Sequence, residues 1–285
     1  MVHYIENYYL RVGIKEFGCE LTSVISKETG SEFIWQGNPD IWSGQSPILF
    51  PIIGRLIDDR FAFKGKEYEM PKHGFARRMP WKLHSKNDES ISFILSETED
   101  TLKAYPFLFN LVVTFTLNKN KLTVKHEVYN KGEGKMYFSL GAHPAFNCKI
   151  GDKLVFDENE TLDKIKIDLK ESLRLPETFP LLRNEKEIII TEDVFNEDAL
   201  ITKNVKSQKI TLISEGLKRK IVFELGNAPY LGIWAKPGAP YVCIEPWFGV
   251  NDKQNVRVDF SEKEAINELS PSESFSFSWS AEFSE

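Results

Sequence analysis

Two residues in this 285-residue chain stand in settings where proton transfer is plausible chemistry: a glutamate in "YVCIEPWFG" (241–249) and a histidine in "SLGAHPAFN" (139–147). Glu245 ends the strand-like run "YVCI" and is followed at once by Pro246, Trp247 and Phe248. Apolar surroundings strip water from a carboxylate and raise its pKa, while a nearby arginine or histidine lowers it again. Such a residue can act as a base, or it can be one half of a structural ion pair. His143 follows Gly141 and Ala142 and precedes Pro144. Its ring is either an acid suited to neutral pH or a hydrogen-bonded ring in a turn or core. Two further stretches do not read as ordinary strands or turns. "MPKHGFARR" (70–78) sets His73 before a glycine in a loop, and "PILFPIIGRLIDD" (47–59) puts Arg55 straight after an apolar run and a glycine. Arg55, Arg77 and Arg78 either meet a ligand or are solvated or paired, with Asp58 and Asp59 as partners at hand. His3, His84 and His126 lie in polar or alternating contexts and receive no role.

Other chemistries lack their spacing. There is no H-x-H, H-E-x-x-H or E-x-x-H, so neither a metal nor another cofactor is expected; only ligands converging from distant strands could hold an ion. No G-x-S-x-G elbow and no glycine-rich phosphate loop occur. The three cysteines, Cys19, Cys148 and Cys243, are far apart and form no C-x-x-C pair. They read as reduced thiols of a cytoplasmic protein. A formal net charge of −6 argues against a nucleic-acid partner. No apolar run approaches the ~18 residues of a membrane span, and the first residues lack a secretion signal. A small-molecule substrate is the expected partner.

The elements that must position these residues are strands. "LFNLVVTFTLNKNKLTVKHEVYN" predicts two strands around "NKNK", "FAFKGKEYEM" a hairpin with Gly65 at its tip, and "QKITLISEGLKRKIVFEL" a third hairpin. "SFSFSWSAEF" alternates serine with Phe275, Phe277 and Trp279, giving one aromatic face. The best helical candidate is "SEKEAINEL", where Ser261 and Glu264 have capping-box spacing. "KESLRLPETFPLLRNEKE" reads as a loose surface excursion between strands. With no linker, repeat or break in composition, the expectation is one all-β domain over 1–285, an antiparallel sandwich or barrel.

Taken together and in order, "FPIIGRL", "HGFAR", "GAHPAF" and "IEPW" resemble the aldose 1-epimerase family, the galactose mutarotase-like proteins. The likeness is to the LacX-type subgroup and the hexose-phosphate epimerases beside it, and it runs over nearly the whole chain. It implies a galactose mutarotase-like β-supersandwich of antiparallel strands, with an aldose lying across a concave sheet. By the same resemblance Glu245 is the general base and His143 the general acid. Arg55, His73 and Asp198 (in "FNEDALI") would hold the sugar, and Trp42, Phe146, Trp247 and Phe248 could give its C–H face a stacking platform. The implied reaction interconverts α and β anomers: a base takes the proton from O1 while an acid protonates the ring oxygen, from opposite sides of the sugar. That needs no cofactor. One departure bears on the substrate. The galactose mutarotases proper carry a paired glycine where "HGFAR" stands here, and arginines in this region suit a phosphate. The readings are therefore a mutarotase acting on a free aldohexose, a hexose-6-phosphate 1-epimerase, or a non-catalytic sugar-binding or regulatory protein. No feature of the sequence sets an oligomeric state.

Overall fold

The computed structural model describes all 285 residues. Where apolar and polar residues alternate, strands form, because a pleated backbone sends successive side chains to opposite faces. Phe109–Asn118 and Lys121–Asn130 make the long hairpin expected around "NKNK", with Lys119 at φ +55° in its turn. Arg60–Phe63 with Lys66–Glu69, and Lys209–Ser214 with Arg219–Glu224, are the other two predicted hairpins. The last strand, Ser274–Ser284, buries Phe277, Trp279 and Phe283 in the core.

The largest sheet is antiparallel throughout. It begins with Ile48–Leu49, Leu140–Ala142, Tyr241–Phe248, Tyr230–Trp234, Leu200–Lys203 and Lys153–Ile167. It then continues through the Lys209–Glu224 hairpin, Ser274–Ser284 and the Phe109–Asn130 hairpin to Ser90–Ser96 and Lys82–Lys86. Val2–Glu6, Leu10–Lys15 and Glu20–Ser26 form a separate three-stranded sheet. The main core is rich in enclosed aromatics, among them Phe50, Phe109, Phe138, Phe156, Phe223 and Trp279. A smaller apolar cluster of Leu49, Ile53, Ile167, Ile201, Tyr230, Trp247 and Val250 forms beside it. The all-β expectation holds.

Two local expectations do not. "SEKEAINEL" forms no α-helix. Asp259 accepts hydrogen bonds from both the backbone N–H (3.0 Å) and the hydroxyl (2.6 Å) of Ser261, which closes a short 3₁₀ turn, Phe260–Glu262. Ala265 then takes φ +59°, and Asn267–Leu269 pairs with Met136–Phe138. The single α-helix is Glu99–Ala104, opened by a capping box between Thr98 and Thr101. The supposed loose stretch is a 16-residue strand, Arg174–Ile189, paired with Lys153–Ile167 through several register shifts. Much of it is exposed on both faces, so no period-2 pattern marks it.

Candidate active site

The arrangement of Glu245 and His143 follows from strand pairing. Leu140–Ala142 and Ala145–Asn147 both pair with Tyr241–Phe248. The partners Gly141–Trp247 and Ala145–Cys243 keep one register across the gap between the two short strands. That register sets His143 directly across from Glu245. Pro144 has no backbone N–H to give the ladder, and the gap falls there. His143 Nε2 lies 3.3 Å from Glu245 Oε1, and the indole N–H of Trp247 donates to Oε2 at 3.2 Å.

Both groups are almost wholly buried, Glu245 at 1% and His143 at 7% exposure. Burial raises the Glu245 pKa well above the usual carboxylate range; the Trp247 hydrogen bond works against this, and the negative charge of Asp198 adds to it. Burial likewise pushes His143 down to about 3, with Arg77 and Lys72 nearby acting the same way. Burial thus favours the uncharged pair, with the shared proton on Glu245 rather than on His143.

Around the pair lies a cavity of about 240 Å³, lined by Trp42, Lys72, His73, Arg77, Ile167, Asp198, Ala199, Ile201, Trp234, Trp247 and Asn251 as well. It falls just under the ~300–1,000 Å³ common for ligand pockets, a size for one small ring rather than a dinucleotide. Trp42 stacks on His143 at 5.2 Å between ring centres, and Trp234 meets both rings edge-on. His73 is fixed from behind: its Nδ1 accepts from the Gly54 N–H at 3.1 Å, and its own backbone N–H donates to the Gly54 carbonyl at 2.8 Å. The neutral ring therefore carries its proton on Nε2, ready to donate. Burial, aided by Arg77 and Lys72, keeps it neutral. Gly54 and Gly74 permit this approach. At φ +67° and +71°, a Cβ on either would come within 2.1 Å of Asn251 or of the Phe50 carbonyl respectively. Asp198, at φ +72°, accepts from the N–H of Ala199 just before the Leu200–Lys203 strand.

Charge at the rim is unbalanced. Deeper cations are matched: Arg174 bonds to Glu264 (2.9 Å) and the Asn251 carbonyl (2.7 Å), and Lys263 to Asp252 (2.9 Å) and the Val250 carbonyl (2.6 Å). Lys72 and Arg77 have no carboxylate within salt-bridge distance. Lys72 reaches only the Ser172 hydroxyl at 3.3 Å, and Arg77 donates to the Lys72 carbonyl at 2.8 Å. The Nε of Arg77 is buried without a partner, and burial lowers this guanidinium to about 10.

Of the residues singled out from sequence, Glu245, His143, His73, Asp198, Trp42, Trp247 and Arg77 meet at this cavity. Three of those expected to hold or stack on the sugar do not. Arg55 is turned away into a two-pronged pairing with Asp59 (2.8 Å to each oxygen) and toward Glu171. Phe146 is fully enclosed in the core against Phe223 and Phe283. Phe248, an odd number of residues from Glu245, projects from the other face and packs on Phe275 and Phe277. The acid and base are also side by side rather than on opposite sides of the cavity. Lys72, Trp234 and Asn251 line it without having been singled out; only Lys72, beside His73 in "PKHGF", carried a local signal.

Comparison with known proteins matches the fold and most of the sequence. The aldose 1-epimerase family matches residues 1–263. The plasmid-encoded protein LacX of Lactococcus lactis subsp. lactis is 33% identical over 263 residues, covering 87% of each chain. A candidate glucose-6-phosphate 1-epimerase of Escherichia coli K12 is 27% identical over 110 residues, 35% of this chain and 36% of that one. Among solved structures, a galactose mutarotase related enzyme from Lactobacillus acidophilus superposes with a TM-score of 0.93 at 34% identity, covering 100% of this chain and 98% of that one. With the fold, a cavity holding a buried carboxylate–imidazole pair, and a sequence match over most of its length in agreement, the chain belongs to the aldose 1-epimerase family of isomerases.

Proposed function

We propose that the protein interconverts the α and β anomers of an aldohexose, with Glu245 as base and His143 as acid. The observation that carries this reading is the 3.3 Å approach of Glu245 Oε1 to His143 Nε2 at the cavity. In a pyranose, the O1 hydroxyl and the ring oxygen are bonded to the same carbon. An acid and a base side by side therefore reach both. The ionised carboxylate takes the O1 proton, the C1–O1 bond becomes a carbonyl, and the C1–O5 bond breaks as imidazolium delivers a proton to O5. Afterwards Glu245 is protonated and His143 neutral, the forms that burial favours. Rotation about C1–C2 presents the other aldehyde face, and the same transfers in reverse close the ring. His73 donates to a sugar oxygen, Asp198 accepts from a hydroxyl, and the indoles of Trp42, Trp234 and Trp247 cover C–H faces.

A second reading, a hexose-6-phosphate substrate, is favoured by Lys72 and Arg77, cations at the rim with no carboxylate partner. Exchange between anomers of free and 6-phosphorylated hexoses, followed by NMR and corrected for the spontaneous rate, tests both. Glu245→Gln and His143→Asn should each lower kcat by at least ~10²-fold, with little change in sugar binding. The double variant should be little worse than either single variant, because the two transfers form one unit. A Glu245→Gln enzyme with near-native turnover would remove Glu245 as base. Phosphate preference predicts that Arg77→Gln raises KM for the phosphorylated sugar alone. Normal sugar binding with no turnover on any hexose would leave a binding protein.

A further inference from the structure

Directly behind the proton-transfer pair sits a thiol that the reaction does not use. Cys243 and Glu245 are two residues apart on one strand and so project from the same face. The Cys243 sulfur, a ring nitrogen of His143 and a carboxylate oxygen of Glu245 all lie within 4.8 Å of one another, and all three residues are buried. The 3.3 Å between His143 Nε2 and Glu245 Oε1 is the span of two tetrahedral ligands each ~2.0–2.1 Å from zinc. The other ring nitrogen, His143 Nδ1, is buried without a hydrogen-bond partner. The cavity supplies an open fourth position.

We propose that Cys243, His143 and Glu245 form a site for Zn²⁺ or a similar thiophilic divalent cation, and that filling it blocks the active site. One thiolate, one imidazole and one carboxylate suit zinc and its neighbours, whereas magnesium and calcium seek oxygen ligands alone. The bound cation takes the imidazole lone pair and the carboxylate oxygen that proton transfer needs, and it occupies the floor on which C1 would rest. It is therefore an inhibitor, competitive with sugar. The sequence motifs give no sign of it because two ligands stand on one strand and the third in the gap between the two short strands paired with it. The inhibitory half of the proposal rests on the assignment of Glu245 and His143 as base and acid; the binding half does not.

The test uses the full-length protein stripped of metal by a chelator. Zn²⁺ titrated alone by calorimetry should bind at one per chain. Co²⁺ should give a tetrahedral visible spectrum with a thiolate-to-metal charge-transfer band. Cys243→Ala should keep basal turnover, lose that band, and need at least ~10-fold more Zn²⁺ for half-inhibition. If Cys243→Ala fails to fold, Glu245→Gln, which preserves shape and hydrogen bonding, should weaken Co²⁺ binding by the same margin. Absence of stoichiometric binding, or a charge-transfer band and zinc sensitivity unchanged in Cys243→Ala, overturns the site. Metal bound as described by a protein that turns over no sugar would overturn the proposed function instead. Active enzyme that ignores zinc overturns only this inference.

Discussion

Replacing Trp247 with Phe removes one hydrogen bond from the proposed base while leaving an aromatic ring against the cavity. The indole N–H donates to Glu245 Oε2 at 3.2 Å, which stabilises the ionised carboxylate against burial. A hydrogen bond to a charged acceptor contributes ~1.5–3 kcal/mol, and this long one belongs at the lower end. At ~1.4 kcal/mol per pH unit, the acid limb of kcat/KM should move to higher pH by about one unit. The sign is fixed: the donor favours the charged form, so its loss makes the carboxylate easier to protonate. Below the limb the variant should be about tenfold slower, and well above it the deficit should close. Any weakening of sugar stacking by the smaller ring acts equally at all pH values, so the profile separates it from the electrostatic effect. The assay is NMR exchange between anomers across pH, with spontaneous mutarotation subtracted. A limb that stays in place, or moves to lower pH, would mean that Trp247 only packs and that the limb belongs to another group.

Three further outcomes are expected. Phe146→Ala should lower stability by ~3–5 kcal/mol in denaturant titrations yet leave KM of the folded enzyme unchanged, because the ring packs on Phe223 and Phe283 away from the cavity. His126 is buried against Phe277 and pushed down to about 3. Its folded pKa lies below its unfolded one, so stability is lost as pH falls below ~6.5; His126→Leu should flatten the fall of Tm between there and pH ~3. Limited proteolysis should release no folded fragment, since strands from Ile48 to Ser284 share the largest sheet.

What was legible in the sequence and what was not divide along physical lines. Hairpins such as Phe109–Asn130 could be read because one face is buried and the other wet, so alternation is imposed locally. Arg174–Ile189 could not, because it is a strand by virtue of its pairing with Lys153–Ile167, not by its own pattern. In the site, Glu245 and His143 stand out by the prolines and aromatics beside them. Parity along the strand from Glu245 already separates Trp247 from Phe248, but only once a strand is known to run through Pro246. Arg55 was unreadable for a different reason: a flexible guanidinium four residues from Asp59 can reach either a cavity or that carboxylate, and here it takes Asp59. Trp234 and Asn251 reach the site through neighbours distant in sequence, and nothing beside them announces it.

The register that sets His143 across from Glu245 has an evolutionary corollary. A distance fixed by cross-strand pairing cannot drift by small steps, since the next register with the same facing requires the whole strand to slip by two residues. Lys72, Arg77 and Asp198, by contrast, stand on turns and short 3₁₀ segments outside the long strands. Under the proposed function, descendants of such a scaffold could exchange those groups one at a time and change sugar preference, while the distance between His143 and Glu245 is inherited with the sheet.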